Sequence, residues 1–174
     1  MLKMNERWKK TEKERLKAEL SNLKNQINPH FLFNTLNSIY SLSMEKSDLA
    51  PTAVVKLSGM MRYMLTDAKN DRVSLEKELE NISNYIDLQK IRLGNTVLVE
   101  YVVEGDVFSH QIAPLLLIPF IENAFKYGVN PEEDSKINIH LQIIGNTLKM
   151  MVFNKKVNRE IPDSEKSGLG LINT

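Results

Sequence analysis

The sequence predicts an α+β fold in which a helical half precedes a half that mixes helix and strand. Three observations carry this. Apolar residues recur at three- and four-residue spacing between Leu16 and Leu93, the period of a helix face. After Gly94 comes the β-branched run Val97-Leu98-Val99-Glu100-Tyr101-Val102-Val103. Further on, Ile137, Ile139, Leu141 and Ile143 alternate strictly with Asn138, His140 and Gln142, the period of a half-buried strand. At 174 residues, with 42% hydrophobic and 26% charged composition, the chain can build one ordinary domain or two small ones.

Residues 1–27 are dominated by helix formers, with eight basic residues up to Lys24 against four acidic ones. Leu16, Leu20, Leu23 and Ile27 make a seam of about two heptads, which suits a short coiled coil or a solvated helix equally. Pro29 either kinks a continuing helix or opens a new one capped by Asn28. Downstream, Leu32, Phe33, Leu36, Ile39 and Tyr40 form an expected apolar side, and His30, Asn34, Asn37 and Ser41 a polar stripe. A turn at Asp48–Pro51 leads into Val54, Leu57, Met61, Met64 and Leu65 at helical spacing, so these two segments should form an antiparallel helical hairpin. Asn70 and Asp71 mark the next break. Ser74 can cap a helix whose face is Leu75, Leu79, Ile82, Ile86 and Leu93, closed by Gly94. Residues 112–128 form a further helix candidate with Pro119 inside it. Gly145-Asn146 should turn the alternating strand back into Leu148, Met150 and Val152 as a hairpin.

Composition excludes several function classes. Lys plus Arg total 23 against 22 Asp plus Glu, a formal charge of +1, so no global field draws the chain to nucleic acid or an acidic membrane. Without cysteine there is no disulfide scaffold, thiolate metal site or cysteine nucleophile. No run of about 18 apolar residues occurs and the start lacks a signal-peptide core. No GxxxxGK[ST] loop is present.

Three groups of residues can carry chemistry. His30 lies on a polar stripe beside a proline-disturbed turn. An imidazole that attacks phosphorus needs a free lone pair, exposure, and a neighbour that fixes its other nitrogen, and Asn34 one turn on has the right spacing. On spacing alone a lone helix histidine is more often an ordinary surface or core residue, and Asn34 more often a solvated one. Glu122, Asn123, Lys126 and Tyr127 end an apolar helix; Asn123 and Lys126 share a face, where an oxygen donor can hold a hard cation and a lysine can meet phosphate. A polar helix end over a buried stem is equally compatible. Gly168 and Gly170 can let backbone amides approach phosphate oxygens, although glycine pairs are common in turns. His110 and His140 read as surface groups.

In order, QINPHFLFNTLNSI at 26–39, PLLLIPFIENAFKYG at 114–128 and GLGLIN at 168–173 closely resemble the phosphoacceptor, N-box and G-box segments of LytS-type sensor histidine kinases. YIDLQKIRLG at 85–94 resembles the family's helix leading into the ATP-binding domain. The resemblance implies a helical dimerisation and phosphoacceptor region over residues 1–70 and a Bergerat-type α/β sandwich binding Mg-ATP over residues 71–174. His30 would be the acceptor, with Asn34 beside it. Asn123 would coordinate Mg2+, with Glu122 as its acidic neighbour in a base or orienting role. Lys126 would contact phosphate, Tyr127 line the pocket, and Gly168 and Gly170 make room for the phosphates. The partners implied are a second copy of the chain and a response regulator whose aspartate takes the phosphoryl group, with no direct nucleic-acid contact.

Two departures stand out. Where the family commonly has an aspartate reading the adenine amino group, this chain has Asn154, and Tyr127 replaces the usual N-box histidine. The alternative reading is a non-catalytic dimerisation and docking module with a degenerate ATP site. The sequence also ends within the G-box at Thr174, where the resemblance implies a further helix and strands. Upstream, it implies a membrane-spanning sensor region, which would make this chain the cytoplasmic portion of a membrane sensor.

Overall fold

The computed structural model describes residues 29–130 and 134–155. The Leu16–Ile27 seam and Gly168 and Gly170 lie outside the described residues. Helices α1 (Pro29–Met44) and α2 (Leu49–Thr66) form the expected hairpin. Its turn closes by satisfying the last carbonyls of α1: Ser47 N–H donates to Leu42 O at 2.9 Å and Lys46 N–H to Ser43 O at 3.1 Å. Lys46 takes the left-handed conformation at φ 55°, the geometry of a Schellman closure with lysine in the usual glycine place.

Helix α3 (Leu75–Leu93) matches the sequence reading at both ends. The Ser74 hydroxyl accepts from Lys77 N–H, and Gly94 ends the helix at φ 60°. The β-branched run forms β2 (Val97–Glu104), and the alternating segment forms β4 (Ser135–Ile144), turning through Gly145 (φ 55°) into β5 (Thr147–Asn154). The three strands make one mixed sheet in the order β2-β4-β5. Strands β2 and β4 are parallel, with Val99 opposite Ile137, and β4 and β5 are antiparallel, with Ile139 opposite Val152. A small antiparallel pair, β1 (Val73–Ser74) with β3 (Gln111–Ile112), was not visible in the sequence pattern. Two residues are too few to show a period.

The helix candidate over residues 112–128 is shorter than expected. Helix α4 runs Ile118–Gly128, with Pro119 in its first turn rather than its interior. There the missing N–H costs nothing, because first-turn amides have no intrahelical partner. Pro114 to Leu117 instead form a non-helical approach in which Leu115 has φ 58°.

One apolar cluster takes Phe31 from α1, Leu57 and Met60 from α2, Ile82 and Ile86 from α3, Ile121 and Phe125 from α4, and Ile137, Ile139 and Leu141 from β4. The faces of the hairpin helices match the sequence expectation in part: Leu32, Ile39, Leu57, Met61 and Met64 pack on the core as expected. On α1 the inward residues are Phe31 and Thr35, and Phe33, Leu36 and Tyr40 are exposed; on α2 Ala50, Ala53, Leu57, Met60, Tyr63 and Met64 are buried and Val54 and Leu65 exposed. The apolar spacing marks a stripe wider than the surface these helices bury, so its outer members Phe33, Leu36, Tyr40, Val54 and Leu65 stay exposed. On the outer sheet face, His140 Nε2 lies 3.2 Å from Glu104. His110 is half-buried, and its carbonyl accepts from Leu75 N–H at 2.9 Å.

Ile121 is fully buried at the centre of this cluster. Ile121→Ala is expected to lower stability by about 2–5 kcal/mol, read as a lower urea midpoint with an unchanged m-value.

Candidate functional site

His30 is exposed on the first described turn of α1, and the next residue, Phe31, is turned inward. The Phe31 ring stacks on Tyr85 of α3 at 4.8 Å between centroids, and Tyr85 meets Phe125 of α4 edge-on at 5.8 Å. This ladder fixes the histidine-bearing turn to the helix that carries Glu122, Asn123 and Lys126, each aromatic pair adding about 0.5–1.5 kcal/mol beyond area burial. Asn34 is where the spacing put it. Its Nδ2 lies 3.2 Å from His30 Nε2 and 3.3 Å from Nδ1. As an N–H donor it serves whichever ring nitrogen carries the lone pair; to fix the protonated nitrogen it must present its oxygen.

Helix α4 buries Ile118, Ile121, Ala124, Phe125 and Gly128, which leaves Asn123, Lys126 and Tyr127 exposed and Glu122 half-buried. Lys126 stands in the last turn, where the helix dipole favours a cation, and its Nζ lies 5.3 Å from the Tyr127 ring centroid. Burial pushes the Glu122 carboxyl above the ordinary range. It borders a cavity of about 30 Å³ with Phe31, Leu32, Met60 and Asn81 among the lining residues, room for a single water. Asn81 is buried with its Oδ1 unpartnered. Burial also raises the Tyr85 phenol, and the neighbouring Glu122 charge adds to the effect.

Asn154, the last residue of β5, is brought to the C-terminal end of α4. A Cβ added at Gly128 would lie 2.5 Å from Asn154 Cβ and 2.9 Å from its Cγ, so this approach needs glycine. The fold thus gathers Glu122, Asn123, Lys126, Tyr127 and Asn154 along one helix and its end. His30 is linked to them through packing; no hydrogen bond or ion pair among the described residues joins it to Glu122, Asn123 or Lys126. Among the described residues there is no group of three or more His, Asp or Glu side chains able to hold a metal ion.

A family model described as histidine kinase matches residues 18–97, which include His30, both hairpin helices and α3. The sensor histidine kinase YpdA of Escherichia coli is 32% identical over 166 residues, covering 90% of this chain and 29% of the relative. The sensor protein LytS of Oceanobacillus iheyensis is 36% identical over 125 residues, covering 72% and 21%. The sensor protein kinase HptS of Staphylococcus aureus is 30% identical over 172 residues, covering 91% and 33%. The chain belongs to the LytS-type sensor histidine kinase family. It spans between 21% and 33% of the length of these relatives.

In this family member, sequence reasoning missed the polar groups inside α3. Glu78 is 0% exposed and Gln89 4%. Gln89 Nε2 donates to the Tyr85 hydroxyl at 2.6 Å and its Oε1 accepts from Arg92 at 2.6 Å. Their signal was available: Glu78, Tyr85 and Gln89 share the helical phase of Ile82 and Ile86, and polar residues in a buried phase require partners.

The raised Glu122 carboxyl gives a pH test. The folded state binds its proton more tightly than the unfolded state, so its contribution to stability is present below the unfolded carboxyl range of about 4.3 and lost as pH rises through the folded value. Glu122→Gln is therefore expected to raise the urea midpoint at pH 7, the gain vanishing near pH 4.

Proposed function

We propose that this chain is the phosphoacceptor and ATP-binding part of a two-component sensor kinase, in which His30 is phosphorylated from Mg-ATP and passes the phosphoryl group to an aspartate of a response regulator. The observation that carries this is the exposed His30, one residue from a ladder that docks its helix against the helix bearing Glu122, Asn123 and Lys126. Residues 1–70 would form the dimerisation and acceptor region and residues 71–174 the nucleotide-binding region. The described segments suit a cytoplasmic location beside a membrane sensor region; among the described residues no helix is long and apolar enough to cross a membrane.

The residue chemistry supports the reading. Phosphoryl transfer requires positioning and neutralisation of oxygen charge more than covalent help from the protein. Asn123 offers an exposed amide oxygen, a hard donor suited to a magnesium ion that keeps waters and nucleotide phosphates as its other ligands. When bound, the ion neutralises charge on the transferring phosphate. Lys126 on the same face adds a positive charge. Glu122 orients its neighbour or takes a proton, and its raised carboxyl lies nearer the working pH than an ordinary one. Asn154 and Tyr127 at the end of α4 would flank the base; an amide oxygen can accept from an adenine amino group. Gly168 and Gly170 would approach the phosphates. The outward Phe33, Leu36, Tyr40 and Met44 fall at three- and four-residue spacing on one face of α1, an apolar stripe suited to a second copy of the chain.

In the full-length polypeptide, ATP labelled at the γ-phosphate is expected to give acid-labile, base-stable label that is absent in His30→Gln. Label persisting in that variant would overturn the assignment. Asn123→Ala is expected to reduce the label by about 10²-fold, measured as the initial rate at saturating magnesium.

A further inference from the structure

We infer that Glu78 is a positioning residue for the nucleotide-binding helix, capping α4 from a different helix and tying it to the histidine hairpin through Tyr63. The inference rests on the function proposed above and deepens it. Glu78 stands in the first turn of α3, 0% exposed. Its carboxylate receives three donors from two other parts of the fold: the Tyr63 hydroxyl of α2, Leu115 N–H at 3.0 Å and Leu117 N–H at 3.4 Å. A carboxylate has acceptor sites for all three, and no neutral side chain of that size has as many.

The second half of the argument is what α4 lacks. Its N-cap position is Leu117, which offers no side-chain cap, and its first turn contains no acidic residue. Amides at a helix start left buried without partners are costly. Glu78 accepts from the N–H of the N-cap residue Leu117 and from Leu115 in the approach, and sets a negative charge at the positive end of the helix. It also holds Leu115 at φ 58°, a backbone state that an L-residue other than glycine adopts only when its surroundings impose it. The N-cap residue Leu117 is thereby fixed five residues before Glu122 and six before Asn123. Because Tyr63 donates to the same carboxylate, a shift of α2 pulls on the group that sets the position of α4. Glu78 touches neither the acceptor histidine nor the exposed face of α4, so it acts through the helix it holds.

The test compares Glu78→Gln and Tyr63→Phe with wild type in the full-length polypeptide. Two readouts are used: KM for Mg-ATP in His30 labelling, and hydrogen exchange of the Leu115 and Leu117 amides relative to those of β4. Glu78→Gln keeps the shape but loses the charge and one acceptor. It is expected to raise KM by about tenfold and to speed exchange at Leu115 and Leu117 by a similar factor while β4 stays protected. Tyr63→Phe keeps both amide bonds and is expected to raise KM by about threefold; it decides the matter should Glu78→Gln not fold. Loss of folded protein lowers the amount of active enzyme without changing KM, so a lower melting temperature with wild-type KM and wild-type exchange at Leu115 would overturn the inference. Should wild type fail to bind Mg-ATP, the proposed function falls and exchange alone decides: acceleration confined to residues 115–121 upholds the positioning role, and uniform acceleration overturns it.

Discussion

Helix α3 lies between the histidine hairpin and the sheet, and its inner surface must bury side chains along nearly its whole length. A helix in that position can carry polar groups only if each finds a partner, because an unsatisfied buried donor or acceptor costs about 1–3 kcal/mol. Glu78 meets the demand with Tyr63 and two loop amides, and Tyr85 with Gln89, which is in turn held by Arg92. These bonds and the aromatic contacts of Tyr85 set the hairpin and α4 in fixed relation. The Asn81 Oδ1, beside the small cavity that Glu122 borders, and the Arg92 Nε are buried without partners. Charge on Glu78 extends further still: it adds to the burial that pushes the Tyr101 phenol on β2 up to about 12.

The candidate site is divided among three elements. His30 and Asn34 lie on α1, Glu122, Asn123 and Lys126 on α4, and Asn154 at the end of β5. The parts are joined by packing through Phe31, Tyr85 and Phe125, with no direct polar link between His30 and the α4 residues. Apolar contacts are non-directional and break with less geometric penalty than a buried ion pair. The aromatic contacts place the His30 turn, while the buried Tyr63–Glu78 bond ties the second hairpin helix to α3.

Much of the fold was legible because its segments carry strong local signals. Ser74 and Gly94 bracket α3 through hydrogen bonding and positive φ, and Gly145 sets a two-residue turn that fixes the β4–β5 register. Local signals failed where long-range packing chose between near-equal options. Phe33, Leu36 and Tyr40 make as good an apolar face as Phe31 and Thr35, and only the approach of α3 decided which went inward. Pro119 was expected inside a long helix because the apolar run continues upstream of it; the chain instead leaves helical geometry at Leu115, whose N–H bonds the Glu78 carboxylate. For the candidate site, residue type and spacing singled out His30, Asn34, Glu122, Asn123 and Lys126, and only the ordered family motifs gave them roles. The phase of Glu78 on α3 marked it for burial, but its pairing with Tyr63 did not show, since the two are 15 residues apart in the chain and meet only in the folded core.

The sequence by itself determined most of the helices, the three long strands, the caps of α3, the β4–β5 turn and the family, because each is written within a few consecutive residues or in a short ordered motif. Tertiary structure alone decided which helix faces are buried, how Asn154 comes to the end of α4, and how a glutamate on α3 caps that helix. Those outcomes depend on groups distant in the chain competing for the same buried surface, and no local pattern records who wins.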